Sequence, residues 1–258
     1  MHQINKDNIH LLQQIFADTD NMFALSFFQG YFDGQGWVDC ENTPRAGRII
    51  VAGVCILAGD HTSPGAESLI CDITDKYNGW EMIPPNAEWE GLIHTHCGDK
   101  YQKKTRYGFV KDMTCFDRDK LQAFVDALPS EFRIVQIDEA IYHARAGTFA
   151  HHLCSNFPTA QDYAKRGLGF VVMLGDEIVS GASSYISCAE GIEIQIDTRH
   201  DYMRKGLATA VAARLILKCL DRNWNPTWDA ATPISLALAE KLGYRFDKQY
   251  TAYGIVVK

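Results

Sequence analysis

The chain has 258 residues, of which 47% are hydrophobic and 22% charged, a composition typical of a packed globular protein with one large or two ordinary domains. Its formal net charge of −7 argues against a nonspecific nucleic-acid binder, which needs a basic face, and is compatible with a cationic or amine substrate. Scattered cysteines without a C-x-x-C pair, a polar start and no long apolar run predict a cytoplasmic protein with reduced thiols that does not bind membranes.

The first 130 residues mix helical and strand patterns. The predicted elements are a helix over 6–18, a turn over 33–36, single buried strands over 48–58 and 68–73, and helices over 84–96 and 117–128. Leu128-Pro129-Ser130 ends the last of these helices, and the pattern changes after it. We therefore place a domain boundary near Ser130, between an N-terminal α/β domain (1–130) and a second domain (131–258).

The sequence pattern of the second domain predicts an α+β fold with a mixed sheet. Its expected elements are strands over 132–137, 169–174, 177–187, 192–197 and 224–230, helices from Asp138, within 149–166 and from Gly206, a helix capped by Thr232 with Pro233 first, and two short strands over 245–258. A hairpin at Gly175-Asp176 joins two of these strands.

One strand, loop and helix together suit a diphosphate. Ile192, Ile194 and Ile196 alternate with Glu193, Gln195 and Asp197, so one face of this strand is polar and can line a cleft. The following helix has unpaired N–H groups and a positive dipole end at Gly206, which has no Cβ, and Arg204 and Lys205 add charge. A plain strand–loop–helix with a basic surface pair is the alternative interpretation.

The loop Met203-Arg204-Lys205-Gly206-Leu207-Ala208 resembles the pyrophosphate loop of the GCN5-related N-acetyltransferases (GNAT). The order of elements over 132–258 and the helix end AEKLGY at 239–244 are also similar to that family. Similarity to the zwittermicin A resistance subgroup is carried by EIVSGASSY at 177–185, IEIQIDT at 192–198 and KGLATA at 205–210, with TRY at 105–107 and FD at 116–117.

The resemblance implies a GNAT acyl-CoA N-acyltransferase fold at the C-terminus and an additional N-terminal α/β domain with an acceptor-side or structural role. It implies transfer of an acetyl group from the co-substrate acetyl-CoA to a primary amine of a small molecule, with aminated antibiotics as one acceptor class. The residues that it implies for CoA binding are Ile194, Ile196, Thr198, Met203, Arg204, Lys205, Gly206, Leu207, Ala208, Thr209 and Ser235.

Three positions depart from the family pattern. Met203 stands where Arg or Gln is usual, Thr232 replaces the usual asparagine before the last helix, and Ala239 replaces a tyrosine often used as general acid. These departures leave a second hypothesis open, a catalytically degenerate module that senses CoA or a small molecule without turnover.

Direct transfer needs a base, an oxyanion donor and a route for the thiolate's proton. Glu193 is the first candidate for the base, with Asp197 and Glu190 in reserve, although an exposed strand carboxylate explains Glu193 equally well. The resemblance implies a backbone N–H donor on this strand, for which we choose Ile196. The thiolate leaves tolerably well without an acid. Tyr253 is the chosen acid, with Tyr250 and Tyr185 as substitutes, and a core role explains each of these tyrosines equally well.

Other signals are weaker. His94, His96 and Cys97 fall on a predicted helix end, where residues two apart point in different directions, so we predict no metal site. Walker and dinucleotide-loop patterns are absent from the sequence. The expected partner is a small-molecule amine, without nucleic acid or membrane; the oligomeric state is not determined, and a homodimer stays open.

Overall fold

The computed structural model describes residues 1–72, 77 and 79–256, apart from the side chain of Asp99. The chain divides into two compact units, one formed by Met1–Arg106 with Gln249–Lys258 and the other by Tyr107–Lys248. This division lies before the boundary predicted near Ser130, because the helix Arg118–Asp126 packs against the helix Leu207–Asp221 and buries Leu121 in the core of the second unit. No helix in the described ranges is long and apolar enough to cross a membrane.

The first unit begins with the order strand, two helices, three strands, helix, strand, helix, strand. Its elements are β1 (His2–Ile4), α1 (Ile9–Ile15), α2 (Met22–Phe28), β2 (Gly34–Val38), β3 (Ala46–Val51), β4 (Val54–Gly59), α3 (Ala66–Cys71), β5 (Glu81–Ile83), α4 (Ala87–Cys97) and β6 (Tyr101–Phe109). Strands β1 to β4 are antiparallel neighbours, and β5 runs parallel to β4. The core of the unit forms around Trp89, Leu69 and Ile93.

Three predictions for this unit were wrong. Residues 34–36 belong to β2 and not to a turn, because they pair with β3. The predicted single strand over 48–58 is a hairpin that turns at Ala52 and Gly53, both with positive φ. The predicted strand over 68–73 is α3 over its described part, since its apolar residues pack as one helical face; Ile73 lies outside the described residues.

The remaining elements belong to the second unit, except that the last strand passes into the first unit at Gln249; the second unit also holds the end of β6, from Tyr107. They are α5 (Arg118–Asp126), β7 (Phe132–Gln136), α6 (Glu139–Ala144), a 3₁₀ helix (Phe149–Cys154), α7 (Ala160–Arg166), β8 (Gly169–Leu174), β9 (Glu177–Cys188), β10 (Gly191–Thr198), α8 (Leu207–Asp221), β11 (Asn225–Thr227), β12 (Asp229–Ala230), α9 (Pro233–Leu242) and β13 (Phe246–Ile255). Strands β7 to β10 form an antiparallel sheet, and β11 joins it parallel to β10. The mixed α/β class predicted from the sequence is therefore confirmed.

Two predictions near the C-terminus were wrong. The strand expected over 224–230 is split into β11 and β12, which pair with β10 and β6 respectively. The two short strands expected over 245–258 are one strand, β13, within the described residues. Its last residues belong to the first unit, where Tyr253 pairs with Met82 of β5. Both differences arise because these segments pair with strands that are distant in the sequence.

Each unit has the same order of elements. In both, a strand is followed by helical segments, three antiparallel strands, a helix, a strand parallel to the third of them and a further helix. The sequence contains no visible repeat, because the two halves share topology without a common motif. Helix α8 and the turn before it in the second unit correspond in this order to α3 and the turn before it in the first.

The sheet of the second unit has two different faces. Helix α8 covers one of them, where Ile192, Ile194 and Val172 join a large apolar core. The 3₁₀ helix lies against the opposite face of β9 and β10. That face carries Glu193, Gln195 and Asp197, which we call the polar face of β10.

Candidate functional site

The outer edge of β10 is paired over only part of its length. Strand β11 pairs with residues 191–193 and then ends, whereas β9 follows β10 as far as Thr198. The N–H of Arg199 and the C=O of Asp197 both point to β9, since they bond to Val179 and Ser180. Backbone direction alternates along a strand, so the backbone groups of 194, 196 and 198 point to the side that β11 leaves open.

The start of α8 is arranged to receive an anion. Its N-cap residue, Gly206, has φ +82°, and a Cβ built there would meet no described atom within 4 Å. Within the described chain no side chain caps this helix, and its first turn carries no acidic residue. Free N–H groups and the positive end of the helix dipole therefore remain available at an open surface.

The loop before α8 is exposed and basic. Arg204 adopts a positive φ of 62°, unusual for a residue with a Cβ, which shows that the loop has a defined shape. Lys205 Nζ lies 4.4 Å from the centre of the Tyr202 ring, and Arg199 stacks on the same ring. Met203 is 46% exposed, so it presents its backbone and an apolar side chain to solvent. The open space at Gly206 and the basic loop are the features expected of a phosphate site.

The remaining residues predicted to bind CoA occupy different environments. Leu207 and Thr209 are buried in the first turn of α8, so only their backbone N–H groups suit a ligand, and Ala208 is half-buried. Ser235 lies in the first turn of α9, where its N–H donates to Thr232 Oγ1 at 3.1 Å. The predicted cap by Thr232 is therefore present, while a role for Ser235 in binding stays a prediction.

Glu193 is held at the point where β11 leaves β10. Thr227 of β11 donates its hydroxyl to Glu193 Oε2 at 2.5 Å and is also 3.0 Å from the carbonyl oxygen of Ile192. A β-bulge lies opposite: Ile186 pairs with Glu193 and Ser184 with Ile194, which leaves Tyr185 as the extra residue of β9. The candidate base thus has a fixed position beside the open edge, next to the alternative acid Tyr185.

Asp197 is the second carboxylate of the polar face. Gln195 donates from Nε2 to Asp197 Oδ2 at 3.0 Å. Burial raises the pKa of Asp197, and the Gln195 hydrogen bond with the nearby His152 and His151 only partly opposes the rise. A raised pKa suits a general base, so Asp197 stays a reserve candidate. Glu190, the other reserve, lies in the exposed turn between β9 and β10.

Tyr253, the candidate acid, and Ala239, at the family's usual acid position, lie in different environments. Tyr253 belongs to the first unit, where its hydroxyl donates to Glu90 Oε2 at 3.2 Å. Burial, with the Glu90 carboxylate adding to it, raises the pKa of Tyr253 to about 12, so its hydroxyl is protonated at neutral pH. Ala239 is fully buried in the core of the second unit, so no acid stands at the family's usual position. The described residues contain no cluster of three or more side chains suited to a metal ion.

A family model for GNAT acetyltransferases matches residues 13–253. The chain is 25% identical over 262 residues to the Uncharacterized N-acetyltransferase YdfB of Bacillus subtilis (strain 168), with 98% of each chain covered. It is 36% identical to the crystal structure of a GCN5-related N-acetyltransferase-like protein from Streptococcus suis 89/1591, with a TM-score of 0.84 and coverage of 96% of this chain and 98% of that one.

A tandem GNAT protein from the clavulanic acid biosynthesis pathway shares the fold alone, at 9% identity and a TM-score of 0.61, over 98% of this chain and 96% of its own. The fold and the open strand edge beside an uncapped helix define an acetyltransferase architecture. The chain belongs to the GNAT acetyltransferase family, and the match covers both compact units.

Sequence reasoning missed two features of the second unit. Thr227, which holds Glu193, was read only as part of a strand, and no local motif distinguishes it. Arg145, which ends α6, was not singled out either. It is a buried arginine beside a cleft, and only its burial in the folded chain makes it notable.

Proposed function

We propose that this chain transfers an acetyl group from acetyl-CoA to a primary amine of a small molecule by direct attack of the amine on the thioester. The observation that carries the proposal is the open edge of β10 beside the uncapped start of α8. Backbone N–H groups on the strand suit an extended amide-bearing chain, and the helix start suits its diphosphate. CoA has both parts in this order.

Acetyl-CoA supplies a thioester whose thiolate leaves with a pKa of roughly 8.5, by analogy with cysteine. The attacking amine, with a pKa of about 10.4 when unperturbed, must first lose a proton, and Glu193 accepts it directly or through water. The backbone N–H of Ile196 stabilises the tetrahedral oxyanion, a contribution of about 3 kcal/mol for a well-placed donor. Collapse of the tetrahedral intermediate breaks the C–S bond and releases the CoA thiolate, which with this pKa leaves without an acid.

Release of free CoA thiol tests the proposal. The purified chain is mixed with acetyl-CoA and a panel of polyamines, aminoglycosides and aminated peptides, and thiol appearance is followed with a chromogenic disulfide. Sustained, acceptor-dependent release supports transfer. Release that is no faster than hydrolysis without an acceptor, across the whole panel, would contradict it.

The alternative is a GNAT-fold module that binds CoA or a small molecule as a sensor. Buried Ala239 in place of the usual tyrosine favours it. Binding of acetyl-CoA without turnover on any acceptor would support the sensor. Sustained thiol release would exclude it.

For the acceptor, we propose an amine in the class of aminated antibiotics, on the similarity of 177–185, 192–198 and 205–210 to the zwittermicin A resistance subgroup. The first unit then serves the acceptor side or stability. An acceptor panel divided into aminated antibiotics and simple polyamines ranks these classes by kcat/KM, and a uniform preference for simple polyamines would argue against the antibiotic class.

A further inference from the structure

An open cleft of about 650 Å³ lies in the second unit between the end of α6 and the 3₁₀ helix. Tyr142, Arg145, Thr148, His151 and Ser155 are among its lining residues. It has the size of a small-molecule site and combines aromatic and polar groups.

The cleft belongs to the same side of the sheet as the polar face of β10. The 3₁₀ helix that carries His151 packs against β9 and β10. Leu153 of that helix lies where a Cβ on Gly181 would stand, and Gly181 pairs with Asp197 across the strands. Paired residues of antiparallel strands share a face, so the helix covers the face that carries Asp197. The 3₁₀ helix connects the cleft with the candidate bases, since its His151 lines the cleft and also lies close enough to Asp197 to oppose the rise in the pKa of that carboxyl.

Arg145 is the unusual group of the cleft. Only 9% of the residue is exposed, and its guanidinium carbon lies 4.1 Å from the centre of the Tyr142 ring. Nη2 donates to the carbonyl oxygen of Cys154 over a long 3.4 Å, and the guanidinium also hydrogen-bonds to the Cys154 thiol. Nε is buried without a hydrogen-bond partner among the described residues. An arginine has five N–H donors and keeps its charge at any physiological pH, so most of its donor capacity is unused.

The charge of Arg145 also lacks an acidic partner. In the part of the chain that the structure describes, no carboxylate oxygen lies within 4.0 Å of a nitrogen of Arg145. Other arginines of the same unit have such partners: Arg166 pairs with Asp162 and Arg199 with Asp201. A buried charge without a counter-ion is unfavourable unless its partner arrives with a ligand.

We infer that Arg145 binds a carboxylate of the acceptor, so that the acceptor class is an amine that also carries a carboxylate, such as an amino acid or a peptide. This inference rests on the proposed acetyl transfer for the acetylation of the bound amine, whereas binding of the carboxylate by Arg145 does not depend on it. The planar guanidinium offers a fork of parallel donors that matches a carboxylate, and the ring of Tyr142 holds the fork in place. The Thr148 hydroxyl is already engaged with the Arg145 carbonyl at 2.7 Å, which fixes the turn around the arginine.

The test uses acceptors that differ only in the carboxylate. The pairs are 4-aminobutyrate with 4-aminobutanamide, for an amino acid, and glycylglycine with glycylglycinamide, for a peptide. Wild-type kcat/KM should favour the carboxylate of at least one pair about tenfold to a hundredfold, the range for a charge-assisted bond. Arg145→Met should remove this preference by lowering kcat/KM for the carboxylate alone, and Arg145→Lys should retain part of it.

Two controls keep the result interpretable. Arg133→Met makes the same change at an exposed arginine of β7 and should leave the preference unchanged. Circular dichroism and melting temperature show whether Arg145→Met is folded; if it is not, Arg145→Lys, which keeps the charge and most of the volume, carries the comparison. Equal kcat/KM for both members of each pair in the wild type would overturn the inference.

A binding measurement separates the failure of this inference from failure of acetyl transfer. Ligand-detected NMR compares 4-acetamidobutyrate with 4-acetamidobutanamide, with and without CoA. Carboxylate-selective binding that Arg145→Met abolishes supports the inference even if no acceptor releases thiol. Thiol release without any carboxylate selectivity, in rate or in binding, overturns the inference while leaving the proposed function standing.

Discussion

At the scale of single residues, the position of Glu193 is better defined than its sequence pattern indicated. The alternation of apolar and polar residues over 192–197 showed only that Glu193 lies on a polar face. In the structure, Thr227 and the bulge at Tyr185 hold Glu193 where β10 and β11 separate. A carboxylate at this position can accept a proton from an amine or a water.

Glu193→Gln should lower kcat/KM about 10²-fold to 10⁴-fold at neutral pH, the usual contribution of a general base. The loss should shrink at high pH, because more of the amine is already deprotonated there. Gln keeps an acceptor for the Thr227 hydroxyl, so the fold should be unaffected. The measurement is a pH profile of thiol release, with the exposed Glu139→Gln as the control; equal profiles for wild type and Glu193→Gln would remove Glu193 from the role.

Asp197→Asn should increase stability at neutral pH. Burial raises the pKa of this carboxyl above its ordinary value of 3.8, so the folded state binds the proton more tightly than the unfolded state. Below the unfolded pKa there is no penalty; as the pH rises above 3.8, the free energy of unfolding of the wild type falls until the pH passes the folded pKa. Asparagine does not titrate and keeps an oxygen for Gln195.

Urea unfolding at about pH 3.5 and pH 7 measures this difference. The free energy of unfolding of Asp197→Asn minus that of the wild type should be larger at the higher pH. A difference that stays constant or falls with pH would show that the folded state does not disfavour the ionised carboxyl.

At the scale of elements, the turn and start of α8 are where we predict that the diphosphate binds. Gly206→Glu should abolish the rise in melting temperature that acetyl-CoA produces in the wild type, because the new side chain fills the open space and repels a diphosphate. Gly206→Ala separates strain from blockage: a Cβ at positive φ costs about 1–2 kcal/mol of stability but should leave most of the ligand-induced shift.

Gly175→Glu is a matched control for this experiment. Gly175 also has a positive φ, and a Cβ there would also meet no described atom within 4 Å, but it lies in the turn between β8 and β9. The control should keep the acetyl-CoA shift at a lowered melting temperature. A full shift in Gly206→Glu would mean that the diphosphate binds elsewhere.

At the scale of the whole molecule, the two units share an order of elements, but the first lacks the features that predict a phosphate site in the second. The first unit's equivalent turn, between β4 and the six-residue α3, has no Lys or Arg from Gly59 to Cys71 and carries Glu67 in the first helical turn. A Cβ on Gly65 there would lie 2.4 Å from the carbonyl oxygen of Asp39, so the protein's own backbone occupies the space that is open at Gly206.

We therefore expect one acetyl-CoA per chain. Calorimetric titration should return a stoichiometry near one for the wild type and no measurable binding for Gly206→Glu. A value near two, or a residual site in Gly206→Glu, would show that the first unit binds CoA as well.

Much of the second unit could be predicted because its signals are local. The hairpin at Gly175, the cap at Thr232 and the glycine before α8 depend on a few neighbouring residues, and the structure has them where the sequence placed them. The wrong predictions concern segments whose secondary structure depends on pairing or packing with residues distant in the chain. Apolar residues 68–71 fit a strand or a helix equally well until they pack, and β13 is a single strand because β5, far away in sequence, pairs with it.

The sequence by itself determined the class of fold and the family resemblance and predicted the phosphate loop, because periodicity, caps and glycine conformations act over a few residues. Only the tertiary structure decided which groups meet. It placed Thr227 on Glu193, duplicated the order of elements without duplicating the loop, and buried Arg145 without an acidic partner beside a cleft. These outcomes depend on burial and on contacts between distant segments, which a linear pattern does not record.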